Sequence, residues 1–212
     1  MTILTLKHIS KSFGKKILFK DISYEFEQGT IYRIVGENGT GKSTLLKIMM
    51  GLMLPDEGVV ELNGESSEKF SSNYRKQINY AFSSDRTLYY KLNAYENLYY
   101  IGRIYGIPRK ELGHKVVHLL EKVGLAENSD YVENYSTGMK KKLLIAKSFL
   151  NQPKIIFYDE VFNGLDKDSC EAVIHWISKE KDITFIIISH QETVNFENEK
   201  ILKIEGGKLR EI

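Results

Sequence analysis

The 212-residue sequence has one cysteine, Cys170, three prolines and one tryptophan. A lone thiol cannot form an internal disulfide, so the fold depends on its core, and the expected compartment is the cytosol. Long apolar runs are missing as well. The richest stretch, ITFIIIS, is far shorter than the ~20 residues a membrane-spanning helix needs. The opening MTILTLKHISKSF lacks the long apolar segment and small-residue cleavage site of a secretory signal. Charge of one sign does not dominate either. Thirty basic against twenty-eight acidic residues leave a formal +2, which excludes a strong overall field for nucleic acid or an anionic membrane surface. No nucleic-acid partner is expected, and any membrane role has to come through a partner protein. Neither repeats nor low-complexity linkers interrupt the chain. Its length suits one domain, or one domain with an inserted subdomain, large enough to bury a core.

What the sequence does contain begins with GENGTGKST at 36 to 44, directly after the apolar residues Ile31, Ile34 and Val35. Gly36, four residues, then Gly41, Lys42 and Ser43 is the spacing of a phosphate-binding loop, in which glycines let backbone N–H groups turn inward around an anion. The candidate nucleotide-binding segment is therefore Gly36, Glu37, Asn38, Gly39, Thr40, Gly41, Lys42, Ser43 and Thr44. Lys42 would put a positive charge on the β- and γ-phosphates and Ser43 would hold Mg²⁺. The helix starting near Lys42 would aim its positive end at the same anion. An ordinary glycine turn capped by Ser43 or Thr44 is the plain alternative.

The rest of the chain supplies a frame for that loop. Short strands are expected at ILTLKHI, FKDISYEF and TIYRIV, then after the loop and its helix at GVVELNG and QINYAF. From about 85 to 150 the pattern is helical, with apolar residues three and four apart in NAYENLYYIGRIYG, RKELGHKVVHLLEKVGL and GMKKKLLIAKSFL. Pro108 should open the second of these helices and Gly124 close it. Strand and helix then alternate again through KIIFYDE, KDSCEAVIHWISKE and ITFIIISH to a closing pair hinged on Gly206 and Gly207. The expected fold class is α/β, with a parallel-sheet core, an N-terminal antiparallel β element and a helical insertion. Residues 1–84 and 151–212 would form the core and 85–150 a helical subdomain.

Asp159 and Glu160 fall at the C-terminal end of an apolar strand, where open α/β sheets bind ligands. Asp159 would hold Mg²⁺ through its water shell, and Glu160 would orient or activate the water attacking a γ-phosphate. A solvated acidic turn is the alternative. His190 ends the next apolar strand, within feasible reach of the γ-phosphate, although a histidine there is also an ordinary surface residue.

Taken in order, these features resemble the ATP-binding subunits of ABC transporters over nearly the whole chain. The resemblance implies a P-loop NTPase with a RecA-like core, hydrolysing ATP with Mg²⁺. It places Phe13, in SKSFG, on the adenine, YSTGMKK at 135 to 141 as the signature, Asp166 in the inter-subunit loop and His190 as the switch. Two subunits, alike or different, would sandwich ATP head to tail, so that Ser136 and the Gly138 amide cap the γ-phosphate held by the other subunit's Lys42. Lys140, Lys141 and Lys142 read mostly as a solvated helix face. Tyr135, Thr137 and Met139 depart from the usual signature. Ser83 stands where the family has a metal-reaching glutamine. A water could fill that gap, Asp85 could take over, or coupling could be weaker.

The resemblance extends to exporter-type members that work with a separate membrane permease at the cytoplasmic face, and the chain leaves no room for a C-terminal regulatory domain. A soluble relative acting on ribosomes or DNA would carry tandem nucleotide domains or coiled-coil insertions. A phosphate-loop kinase or GTPase would leave the signature idle. Six of thirteen tyrosines fall between Arg86 and Gly106. Tyr89 and Tyr90 are expected to line a groove for a permease helix.

Overall fold

A computed structural model describes residues 1–66, 72–84, 86–189 and 194–212. The chain opens with a long hairpin of β1 (Thr2–Phe13) and β2 (Lys16–Glu27), followed by β3 (Ile31–Val35) and α1 (Lys42–Met49). Next come β4 (Glu57–Leu62), the short β5 (Glu65–Ser66), α2 (Ser72–Gln77) and β6 (Ile78–Phe82). Three helices follow: α3 (Ala94–Ile104), α4 (Arg109–Lys122) and α5 (Thr137–Ser148). The chain closes with β7 (Ile155–Asp159), α6 (Lys167–Lys179), β8 (Thr184–Ile188), β9 (Lys200–Glu205) and β10 (Lys208–Glu211).

The strands form two sheets. One is antiparallel, in the order β2-β1-β4-β5, and the other runs β10-β9-β3-β8-β7-β6. Within the second sheet β9, β3, β8, β7 and β6 are parallel, and only β10 turns back along β9. Patterning explains the division. In β8 every residue of TFIII is buried, as a parallel strand covered on both faces requires, whereas β2 alternates between buried and exposed because one of its faces is wet. Gly206 and Gly207 both have positive φ, 56° and 75°, which lets a two-residue turn match the twist of the β9–β10 hairpin.

Two apolar clusters hold these layers together. Leu4, Phe26, Ile34, Leu45, Met49 and Leu202 fill the space between the antiparallel sheet, α1 and one face of the parallel sheet. The other face buries Leu98, Val116, Leu144, Tyr158, Val173 and Trp176 against the helices. A side chain at Gly102 of α3 would stand 2.3 Å from Leu112 of α4, so the glycine permits the close approach of these two helices. Chemistry at the helix ends explains where they start. Asn93 and Glu96 form a reciprocal capping box on α3, while the side chains of Ser136 and Asp166 cap α5 and α6. The short α2 and β5 had no counterpart among the expected elements.

Candidate functional site

The glycine-rich segment turns between the end of β3 and the start of α1, where helix N–H groups have no partner within the helix. Gly41 precedes the helix at φ 99°, and a Cβ there would lie 2.6 Å from the Phe19 ring. At Gly36 the obstacle is the Ile204 carbonyl, 2.8 Å from such a Cβ. Both positions thus exclude side chains on φ and on space. The Lys42 ammonium is nearly buried and donates to the carbonyls of Gly36 (2.7 Å) and Glu37 (2.9 Å). Burial lowers its pKa, and the nearby carboxylates of Glu160 and Asp159 pull it back up. Thr40 braces the turn by donating its hydroxyl to the Glu37 carbonyl (2.9 Å).

Over this loop lies a cavity of about 480 Å³. It is lined by Phe13 and Lys16 from the β1–β2 hairpin, by Asn38, Gly39, Gly41, Lys42, Ser43 and Thr44, and by Asp159 and Glu160. The Phe13 ring is half exposed at its edge. Parallel pairing of β7 with β8 sets Asp159 opposite Ile188, and the Glu160 N–H donates to the Ile188 carbonyl (3.0 Å). Glu160 has φ 56°, a left-handed conformation that costs a non-glycine residue on the order of 1 kcal/mol and is typical of residues held for function. Asn163 fixes its carboxylate by donating to Oε2 (2.6 Å). Among the described residues the Ser43 hydroxyl and the Asp159 carboxylate have no hydrogen-bond partner. Two free hard oxygens on one cavity suit Mg²⁺, which usually takes one or two protein ligands and completes its shell with water and phosphate.

Other expected site residues lie elsewhere. Ser136 and Gly138 stand at the α5 N-terminus, where Ser136 Oγ accepts from the Met139 N–H (3.2 Å), and neither lines the cavity. A Cβ on Gly138 would come within 3.0 Å of the Gly164 carbonyl, so this helix start packs against the loop leading to Asp166. Asp166 accepts from the Ser169 N–H (2.9 Å) and hydroxyl (2.7 Å), which lowers its pKa. His190 and Asp85 lie outside the described residues.

Ser83 does not line the cavity. Its carbonyl accepts instead from the Lys141 ammonium. The solvated face expected for Lys140 to Lys142 is corrected accordingly: Lys141 is 5% exposed, and Lys140 sits over the Tyr90 ring at 4.9 Å. One helical stretch further on, Lys147 is also 5% exposed and donates to Thr87 Oγ1 (2.7 Å). Burial pushes its pKa down to about 8. The α5 lysines therefore grip both sides of the loop after β6. Spacing gave no sign of this, because the partners are a carbonyl and a hydroxyl far away in sequence.

The tyrosines divide between surface and core. Tyr89 and Tyr90 are exposed, and Tyr89 meets Tyr100 edge-on at 4.9 Å. A cleft of about 700 Å³ is lined by residues that include Leu52, Arg75, Tyr80, Ile104 and Tyr105.

Comparison with known proteins agrees with this architecture. A family model described as ABC transporter matches residues 19–163. The ABC transporter ATP-binding protein NatA of Bacillus subtilis is 31% identical over 98% of this chain and 87% of its own. A putative hemin import ATP-binding protein, HrtA of Staphylococcus haemolyticus, is 34% identical over 97% and 98%. A solved ATP-binding subunit of an ABC transporter superposes with a TM-score of 0.85 at 26% identity, covering 98% of this chain and 88% of the other. A dimeric ATP-binding cassette bound to ADP and Pi shares the fold, with a TM-score of 0.86 at 24% identity over 99% and 98%. The chain belongs to the ABC transporter family as an ATP-binding subunit, and it is an ATPase.

Proposed function

We propose that this chain is the motor subunit of an exporter. It hydrolyses ATP at the cavity over its phosphate loop and passes the resulting movement to a separate membrane permease at the cytoplasmic face. The observation that carries the reading is the gathering of Phe13, Lys42, Ser43, Asp159 and Glu160 around one cavity. Phe13 stacks on the adenine, and Lys42 and the loop N–H groups bind the phosphates. Ser43 and Asp159 would hold Mg²⁺, which would supply positive charge to the phosphates. Glu160, oriented by Asn163, accepts a proton from the attacking water.

Ser136 and Gly138 stand too far from their own cavity to line it, which favours the head-to-tail arrangement in which they cap the γ-phosphate bound at Lys42 of a second ATP-binding subunit, alike or different. The outward direction rests on relatives such as the linearmycin resistance protein LnrL of Bacillus subtilis and the lipoprotein-releasing protein LolD of Bacteroides fragilis, and methionine import proteins are similar too. No described helix is long and apolar enough to cross a membrane, so the permease supplies the path.

For the permease contact, the cleft at Leu52, Tyr80, Ile104 and Tyr105 suits a short helix better than Tyr89 and Tyr90 do. It is concave and apolar with cationic residues at its edge, and Ile104 is 62% exposed. Ile104→Glu tests it by affinity purification from membranes. The wild-type chain should bring down a polytopic membrane protein and the variant should lose it, while keeping the ATPase rate of the isolated subunit. Retention by Ile104→Glu would place the contact elsewhere, and no membrane protein with either chain would overturn the transporter role.

A further inference from the structure

The hairpin that carries Phe13 also brings a lysine to the nucleotide cavity. In the β1–β2 register Phe13 pairs directly with Lys16, so the two side chains are delivered side by side from the end of the antiparallel sheet. Both line the cavity, and the Lys16 ammonium reaches across it to the phosphate loop, donating to the Gly39 carbonyl at 3.2 Å. Even a Cβ placed on Gly39 would sit only 3.7 Å from that nitrogen. Lys42 bonds the carbonyls of Gly36 and Glu37 in the same loop, so two cations from different elements line the cavity.

Charge makes the arrangement meaningful. The ionisable groups lining the cavity are Lys16, Lys42, Asp159 and Glu160, and their charges cancel. A bound Mg-nucleotide is anionic, so removing Lys16 would leave the loaded site with one more uncompensated negative charge, next to two carboxylates. The ammonium is also poorly engaged without nucleotide: a long bond to one neutral carbonyl is weaker than a charge-assisted bond to phosphate. Position along the cavity selects which phosphates it meets. Phe13 marks the base end, and Lys42 with Glu160 marks the γ end. Lys16, in register with Phe13 and bonded to the Gly39 carbonyl, belongs with the base end.

We propose that Lys16 is a nucleotide-binding residue, a second cationic contact that reaches the base-proximal phosphates from the antiparallel sheet. This rests on the cavity being the ATP site. Because the α-phosphate nearest the base is shared by ATP and ADP and gains little charge as the γ-phosphate leaves, a contact there strengthens ground and transition states alike. It governs affinity and leaves the chemical step alone.

The test compares Lys16→Gln, Lys16→Met and Lys16→Arg with wild type. Mg-ADP and Mg-ATP affinities are measured by calorimetry at low and high salt, alongside steady-state hydrolysis. Gln can still donate to the Gly39 carbonyl but has no charge, so it separates a phosphate contact from a mere brace on the loop. Gln and Met should both weaken ADP and ATP binding about threefold to tenfold at low salt, as a partly exposed charge contact would. Arg should restore it, the difference should shrink at high salt, and KM should rise with kcat unchanged. Wild-type affinity in Lys16→Gln with a loss only in Lys16→Met would overturn the proposal in favour of a brace, and a fall in kcat without a change in KM would also overturn it. If wild-type protein fails to bind either nucleotide, the cavity assignment itself falls, which the Lys16 variants alone could not produce.

Discussion

At the scale of single residues the site depends on Glu160. Its backbone is held in a left-handed conformation by the bond from its N–H to the Ile188 carbonyl, and its carboxylate by Asn163. Glu160→Gln keeps size and shape but removes the group that, on the proposed reading, takes a proton from water. Single-turnover assays should show ATP still bound and its hydrolysis slowed by a factor on the order of 10²–10⁴. Turnover at the wild-type rate would move the base elsewhere, with His190 the first candidate. The phosphate loop, Asp159 and Glu160 were legible in the sequence because their chemistry is encoded in short spacings. Asn163 and Lys16 were not, since nothing in a linear string says which amide or ammonium will reach a given cavity. Ser83 was legible only as a departure, and its carbonyl contact with Lys141 is a fact of three-dimensional packing.

At the scale of elements, α5 links two functional regions. Its N-terminus carries Ser136 and Gly138, and further along it buries Lys141 and Lys147 against the loop after β6. Burying Lys147 has a cost that depends on pH. Its pKa is lowered from 10.5 in the ordinary side chain to about 8 by burial. Below pH 8 both folded and unfolded chains hold the proton and the penalty is complete. Between about 8 and 10.5 the unfolded chain binds more protons, so stability rises with pH, and above that the penalty is gone. Lys147→Met removes a cost of at most about 3 kcal/mol and loses a hydrogen bond worth about 1 kcal/mol. Thermal melts at pH 7 should therefore show the variant about 4–8 °C more stable, with the gain fading by pH 10 to 11. A variant less stable than wild type at pH 7 would mean that the Thr87 contact outweighs the desolvation of the charge. Most elements could be read from periodicity: Gly124 falls at positive φ just past α4, as expected, while Pro108 stands one place earlier than the first helical position, as its N-cap. The solvated reading of Lys141 failed because α5 is buried at Lys141 and from Leu143 to its end at Ser148, so even charged positions turn inward.

At the scale of the whole molecule, the proposed reading makes a single chain an incomplete site. The cavity is lined by the phosphate loop and two carboxylates, while Ser136 and Gly138 lie outside it at a helix N-terminus suited to an anion. ATP, placed between two such surfaces, would join them, and hydrolysis would release them. Light scattering of Glu160→Gln protein, with and without Mg-ATP, tests this account most directly, because the variant should bind ATP without consuming it. The account predicts a monomer alone and a dimer of twice the mass with Mg-ATP, with Ser136→Glu in the same background remaining monomeric. A Glu160→Gln chain that is saturated with ATP yet stays monomeric would contradict closure of this chain on a second copy of itself.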